Sequence, residues 1–319
     1  MRAFVRALLK PSSAEPSAST PLPETELEEL AAGDRRWREQ LLQLAGRAAP
    51  YIGVELEGVT LFFSTADTKI ARRLFVQPDL RKDTIHLRRA LAALTAAGLP
   101  EVRGIFVDVG AHIGTTTLSA ILHHGFAQAV ALEPAPENFL LLRLNVLANG
   151  LETAVRTLEL AASSSEGIAE LDVGSPGSEC HAIVAGGREG RRTHRVPTTT
   201  IDALAAQGII EPSRVGLLWM DVEGHELDVL DGASTILEQG VPIAMELCPE
   251  KLAHAGRLES ASDVLRAHYT HVLDLRKPVA RGPQFLPVQE IERLIAQYAG
   301  HCFEVLACRL PSRERPEGG

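Results

Sequence analysis

No run of apolar residues in this chain is long enough to span a bilayer. The most apolar stretch, FLLLRLNVLANG from Phe139, is interrupted by Arg143 and Asn145. A membrane is therefore not expected as a partner. The chain also lacks any surplus of basic charge: 32 lysines and arginines stand against 41 aspartates and glutamates, a formal charge of −9. A broad phosphate-backbone footprint needs clustered cations, so nucleic acid is not expected either. No C-x-x-C pair occurs among Cys180, Cys248, Cys302 and Cys308, which removes the common zinc and thioredoxin-like arrangements. These cysteines read as reduced, mostly buried thiols, with Cys302 and Cys308 on one face of a strand. No cleavage-site pattern follows MRAFVRALLK, so that segment reads as a frayed helix and a cytoplasmic location is expected. No internal repeat is visible, and the oligomeric state is not legible.

What is present suits one large α/β domain with an added segment. The chain has 319 residues, 45% of them hydrophobic, enough for a full core. Residues 11–26 are rich in Pro, Ser and Ala and read as linker. Helical spacing runs from Glu26 to Ala49, and YIGVELEGVTLFF reads as a hairpin turning at Glu57-Gly58. Two further helical patterns follow, the second stopped by Gly98-Leu99-Pro100. From Arg103 strand and helix alternate: strands at 104–109, 128–133, 155–160, 215–221 and 241–247, then HVLDLR and CFEVLACRL, which close the sheet. HELDVLDGASTILEQG reads as one helix, and 163–200 as an irregular insertion with two short strands. The expected fold is a doubly wound, mostly parallel, seven-stranded sheet with an N-terminal cap. The boundaries expected are a flexible tail 1–33, a cap 34–100, a catalytic domain 101–310 and a tail 311–319.

The stretch GIFVDVGAHIGTTTLSAIL, from Gly104, takes a buried strand through glycines directly into a helix. Such a turn presents free backbone N–H groups at a positive dipole end. Four strands then end in acids: Asp108, Glu133, Asp221 and Glu246. Acids near a core need partners, so a polar ligand is implied at these carboxyl ends. Glu133, 19 residues after Gly114, is placed to accept hydrogen bonds from both hydroxyls of a ribose. The turn is G-x-x-x-G rather than G-x-G-x-x-G, and Asp108 beside it would repel a pyrophosphate. An ammonium or sulfonium group would suit it. S-adenosylmethionine carries both and is favoured over NAD.

The stretches FVDVGAHIGTTTL, ALEPAPENFLLLRLNVLANG, VPTTTIDAL and WMDVEGHELDVLDGA, in this order, resemble the successive motifs of the FkbM family of class I S-adenosylmethionine-dependent methyltransferases. The resemblance covers roughly residues 55–250. It departs at His112, where the family usually has Asn; a polar ring can replace the amide. The resemblance implies that Asp108, Gly110, His112 and Gly114 hold the methionine end of the donor, Glu133 the ribose, and Asn138 the supporting loop. Ala161 and Ala162 would lie near the adenine, and Asp221 and Glu223 near the transferring methyl and the acceptor.

The expected reaction is O-methylation of a hydroxyl on a sugar or small-molecule natural product. Asp221 or Glu223 is the candidate base or orienting group, with His225 in reserve. Asp221, Glu223 and Glu246 are hard oxygen ligands that could hold Mg²⁺, but no spacing demands a metal and none is expected. Glu226 reads as a first-turn acid favourable to the helix dipole, His123-His124 as a helix end, and the arginines between 188 and 195 as a solvated loop. Two readings compete with the main one: an RNA methyltransferase, which the acidic total disfavours, and a non-catalytic nucleoside-binding protein on the same fold.

Overall fold

The computed structural model describes residues 24–80, 84–99, 104–173, 182–184, 192–278 and 282–310. The expected tail up to residue 23, Cys180, Arg188, Arg191 and the tail from 311 lie outside the described residues. Helix α1 (Glu24–Ala48) starts ahead of the expected boundary between residues 33 and 34. Strands β1 (Tyr51–Leu56) and β2 (Val59–Ser64) form the expected hairpin, in register from Tyr51 opposite Ser64 to Leu56 opposite Val59. Its two loop residues, Glu57 and Gly58, have φ of 51° and 82°, the pair of left-handed residues that a right-twisted two-residue hairpin requires. A short helical turn, Thr68–Ala71, runs into a π-helical turn, Arg72–Val76, and helix α2 (Ile85–Ala96) completes the cap.

Alternation follows: β3 (Ile105–Val109), α3 (Thr115–His124), β4 (Gln128–Leu132), α4 (Pro136–Ala148) and β5 (Val155–Leu158). The insertion contributes β6 (Ala161–Ala162), β7 (Gly167–Asp172), β8 (Ala182–Val184) and β9 (Thr193–Thr199). Next come α5 (Ile201–Ala206), β10 (Val215–Met220), α6 (Glu226–Asp231), α7 (Ser234–Gln239), β11 (Ile243–Leu247) and α8 (Pro249–His254). The chain ends with α9 (Leu258–His268), β12 (His271–Asp274), β13 (Leu286–Pro287), α10 (Ile291–Gln297) and β14 (Phe303–Cys308).

The main sheet has the order β13-β12-β14-β11-β10-β3-β4-β5. Strands β11, β10, β3, β4 and β5 pair in parallel, and β14 is antiparallel to both β11 and β12. This is the doubly wound, mostly parallel sheet read from the sequence, with an eighth strand added: β13, two residues long, pairs with the outer edge of β12. The insertion is more regular than expected. Strands β7 and β9 pair over six positions, from Gly167 opposite Thr198 to Asp172 opposite Thr193, in a separate four-stranded sheet. An exposed face on β7 and Pro197 within β9 hide that pairing from the hydrophobic pattern. The single helix expected from His225 to Gln239 is two, broken at Gly232, where a Cβ would stand 2.2 Å from the Ser163 carbonyl oxygen.

Strand alternation sends the two faces of the sheet into different cores. Ile105, Val107, Val109, Leu218 and Ile243 pack with α5, α6, α7 and α9. Phe106, Leu217, Ala244 and Leu306 pack with α3, α4, the hairpin and α2. The cap is therefore built onto one face of the sheet, sharing its core. Asn145 and Asn149 fasten the hairpin. The Asn145 amide accepts from the Phe62 N–H at 2.6 Å and donates to the Phe62 and Ile113 carbonyls at 3.1 and 2.8 Å. Asn149 accepts from the Thr60 N–H at 2.9 Å and donates to its carbonyl at 2.7 Å. Spaced one helical turn apart, in the last turn of α4 and just past its end, the two amides pair with the backbone of β2 as a neighbouring strand would.

The cysteine expectation is corrected. Cys248 and Cys302 form a disulfide, and Cys308 is the free, buried cysteine among the described residues. Leu247 lies opposite Phe303 across β11 and β14, so the next pair outward along the antiparallel ladder is Cys248 with Cys302. A sequence separation of 54 residues conceals this cross-strand pair.

Candidate active site

Phe106 and Asp108 share one face of β3, and the same alternation carries Asp221, Glu246 and Glu304 to that face of β10, β11 and β14. It is the face that the cap covers. Strand order reverses between β3 and β10, which is where a ligand crevice opens in a doubly wound sheet. A cavity of about 540 Å³ lies there, walled by the turn after β3, the ends of β4, β6, β10 and β11, the start of β14, and cap residues from Ile70 to Leu87.

Gly110, with φ 84°, turns the chain out of β3, and its N–H and that of Ala111 both donate to the Leu132 carbonyl. A Cβ on Gly110 would lie 2.0 Å from the Asp221 carbonyl oxygen. The glycine thus admits the end of β10. His112 follows at φ 52°. That left-handed conformation is one that Asn, Asp and His adopt more readily than other side-chain-bearing residues, which explains His in an Asn position through the backbone. Gly114, at φ 92°, precedes α3 and packs where a Cβ would be 2.7 Å from Leu142 Cδ1. Asp108 lies beneath this turn, 1% exposed, and accepts from the Thr117 hydroxyl. Burial pushes its carboxyl up to about 7. It anchors the first turn of α3 and is absent from the cavity wall, whereas Gly110, His112, Glu133, Asn138 and Ala161 line it.

Glu133 is 4% exposed. Its Oε2 accepts from the His112 N–H at 2.8 Å and its Oε1 from the Ala135 N–H at 2.9 Å. Burial raises its carboxyl to about 7, against the pull of those two amides and of Asn138. Each oxygen keeps acceptor capacity toward the cavity. Small side chains, Ala161 and Ala162, form the neighbouring wall.

At the opposite end stand the acids that close β10 and β11. Asp221 is open to cavity water but deep in the molecule; burial, then Glu246, Glu223, Glu304 and Asp108, raise its carboxyl to about 8. Glu246 is raised to about 7 by burial and by Glu223, Glu304 and Glu226. Glu223 sits at φ 56° and forms an ion pair with the Lys251 ammonium. Burial lowers the Lys251 pKa, but the Glu223 hydrogen bond and the charges of Glu223, Glu246 and Glu226 leave it raised overall. Oxygens of Asp221, Glu223 and Glu246 lie within 4.8 Å of one another, with the Lys251 cation already on one of them. Glu226, wholly buried, accepts from the Gly224 N–H at 3.1 Å and so fixes the left-handed turn at 223–224. His225 lines the cavity, yet both ring nitrogens are engaged: Nε2 with Ser163 Oγ at 3.0 Å and Nδ1 with Asp228 Oδ2 at 3.3 Å.

An acid and a histidine of the cavity wall, Glu304 and His86, were not foreseen from the sequence. Glu304 lies opposite Glu246 in the β11–β14 ladder, and its Oε1 is 3.0 Å from His86 Nδ1 at the start of α2. Glu304 escaped notice because β14 runs antiparallel, placing its acid at the strand's beginning rather than its end.

A profile of the methyltransferase FkbM domain matches residues 108–268. No curated protein matches the chain in sequence. Among solved structures, similarity extends to Methyltransferase FkbM from Methylobacillus flagellatus KT, at 15% identity and a TM-score of 0.40, covering 65% of this chain and 44% of that one. This chain thus spans less than half of that protein's length. A putative transferase from Pyrococcus horikoshii is similar at 13% identity and a TM-score of 0.41, over 88% of this chain and 86% of that one. TYW2 of M. jannaschii, solved with AdoMet, is similar at 14% identity and a TM-score of 0.40, over 81% of this chain and 84% of that one.

Proposed function

Because the chain belongs to the FkbM methyltransferase family, we propose that it methylates a hydroxyl group of a sugar or small-molecule natural product, with S-adenosylmethionine as donor. The observation that carries this reading is the layout of the cavity. One end holds a buried carboxylate with capacity to accept from a diol, and the other holds a row of acids at the switch point. The residues fit the donor. Glu133, supported by Asn138, would take the ribose hydroxyls, and Ala161 and Ala162 would lie along the base. The turn from Gly110 to Thr116, with Asp221, would take the methionine end. When bound, S-adenosylmethionine supplies a sulfonium methyl group that an acceptor oxygen can displace.

Asp221 and Glu223 orient the acceptor hydroxyl. Burial and the neighbouring acids favour the protonated form of Asp221 in the ligand-free protein, while Glu223 is kept in place by Lys251. A nearby cation favours the ionised form of a carboxyl group, so a sulfonium bound beside Asp221 would favour its carboxylate, with the proton leaving to water. His225 secures the loop to Ser163. The cap and the insertion sheet enclose the acceptor and exclude water, which strengthens every charge interaction inside.

Isothermal calorimetry tests the reading. S-adenosylmethionine and S-adenosylhomocysteine should bind and NAD should not. Heat from NAD, with none from the other two, would reject it.

A further inference from the structure

The acceptor end of the cavity contains a histidine–carboxylate pair that the motif residues do not include. His86 opens helix α2 of the cap, and Glu304 stands on β14. Their contact, His86 Nδ1 to Glu304 Oε1 at 3.0 Å, closes the cap onto the sheet beside the catalytic row, and both residues line the cavity. Arg89, one helical turn along from His86, donates to the Leu275 and Arg276 carbonyls at 2.9 and 2.8 Å, holding this end of α2 down. Glu304 is the register partner of Glu246, and Asp221 follows the Met220–Met245 pair on the adjacent strand. At about 4.8 Å per strand spacing, Asp221 and Glu304 are about 10 Å apart along the sheet with Glu246 between them, a row over which an acceptor molecule can lie. Other charged groups on the walls of that space are Asp79, Arg73, Glu223 and Glu246.

Methyl transfer from a sulfonium to a hydroxyl needs a group to take the hydroxyl proton. Asp221 is assigned above to orienting the acceptor beside the sulfonium, Glu223 is engaged by Lys251, and both nitrogens of His225 are engaged by Ser163 and Asp228. Among the described residues nothing bonds the Nε2 of His86, while its Nδ1 is held by a carboxylate. A base oriented by a third group is the arrangement that activates hydroxyl nucleophiles in many enzymes.

We propose that His86 is the proton acceptor of the reaction and that Glu304 is its positioning residue. The inference rests on the methyl-transfer reading above. As the acceptor oxygen bonds to the methyl carbon, its proton passes to His86 Nε2. The carbon–sulfur bond breaks with its electron pair kept by sulfur, so the products are a methyl ether, neutral S-adenosylhomocysteine and an imidazolium. Glu304 balances that imidazolium until its proton leaves to water. The segment that supplies the base thus lies outside the matched family domain, at residues 108–268, in the cap.

The test uses the full-length chain and its His86→Gln, His86→Ala and Glu304→Gln variants. Turnover is followed as tritiated methyl transfer from S-adenosylmethionine to a panel of monosaccharides and phenols, and to water alone, where the label appears as methanol. His86→Gln should lower turnover by about 10²–10⁴-fold, with calorimetric donor affinity unchanged, and free imidazole should restore part of the activity of His86→Ala. In ligand-free protein, nitrogen-15 NMR should find the neutral His86 ring protonated at Nδ1. Glu304→Gln should lower turnover with calorimetric donor affinity unchanged, because the imidazolium formed in the reaction then lacks its facing carboxylate. Near-native turnover in His86→Gln or in Glu304→Gln overturns the proposal while leaving the methyl-transfer reading intact. Absence of donor binding by the unaltered protein sinks that reading instead.

Discussion

Replacing Glu133 by Gln separates a ligand-binding carboxylate from a structural latch. The side chain keeps its length and loses one acceptor. In the native protein Oε1 and Oε2 each accept one backbone N–H, from Ala135 and His112, at 2.9 and 2.8 Å. The amide of Gln can accept one of these and must turn its NH₂ toward the other. One buried donor is then unpaired, which costs about 1–3 kcal/mol of stability. The donor site suffers separately. A ribose hydroxyl that donates to the carboxylate would meet an amide N–H, and loss of one hydrogen bond to a charged group is worth about 1.5–3 kcal/mol. That corresponds to a dissociation constant roughly 10- to 150-fold weaker. Calorimetry well below the melting temperature measures the affinity; Trp219, which lines the cavity, offers a fluorescence readout of the same binding. A lower melting temperature with unchanged donor affinity would show that Glu133 only fixes the turn, and the ribose assignment would be wrong.

Other outcomes follow from the same geometry. Asp108, Glu133, Glu226 and Glu246 are raised to about 7 and Asp221 to about 8, burial being the first cause in each. Folded protein therefore holds protons that the unfolded chain releases above about pH 4. This stabilisation is complete below that point and is lost as pH rises through 7 and 8. The melting temperature of ligand-free protein should fall between pH 5.5 and 8.5, and a flat or rising profile would contradict the burial of these acids. Asn145→Ala removes three hydrogen bonds and strands the part-buried Phe62 N–H, so denaturant unfolding should register a loss of about 2–4 kcal/mol; a loss under 1 kcal/mol would show that the hairpin does not depend on the clamp. Reduction of Cys248–Cys302, 54 residues apart, should lower stability by up to about 4 kcal/mol on chain-entropy grounds, measured against Cys248→Ser, in which a reductant should have no effect.

The parallel half of the sheet was legible because each strand ends in a turn that carries its chemistry. Asp108, Glu133, Asp221 and Glu246 could be aligned at one edge without knowing strand order. What escaped the sequence was placed by pairing across long separations. Glu304 and Cys302 meet Glu246 and Cys248 only through the antiparallel β11–β14 ladder. His86 sits in an amphipathic helix whose spacing reports its buried side, Leu87, Ala90 and Leu94, and says nothing of what its first turn faces. Asn145 reads as an interruption of an apolar run; its amide and that of Asn149 pair instead with β2. Gly110 was legible as a glycine that had to be there, but what fills its empty Cβ position is the Asp221 carbonyl. A local motif can report a close approach without naming what approaches.

The central claim is that the cavity between cap and sheet seats the methyl donor, with its ribose on Glu133 and its sulfur beside Asp221. A crystal structure of the protein grown with S-adenosylhomocysteine tests this most directly. The account predicts both ribose hydroxyls within hydrogen-bonding distance of the Glu133 carboxylate and the thioether at the mouth where Asp221 and Glu246 stand. The nucleoside bound elsewhere, or in this cavity with its ribose turned away from Glu133, would contradict it.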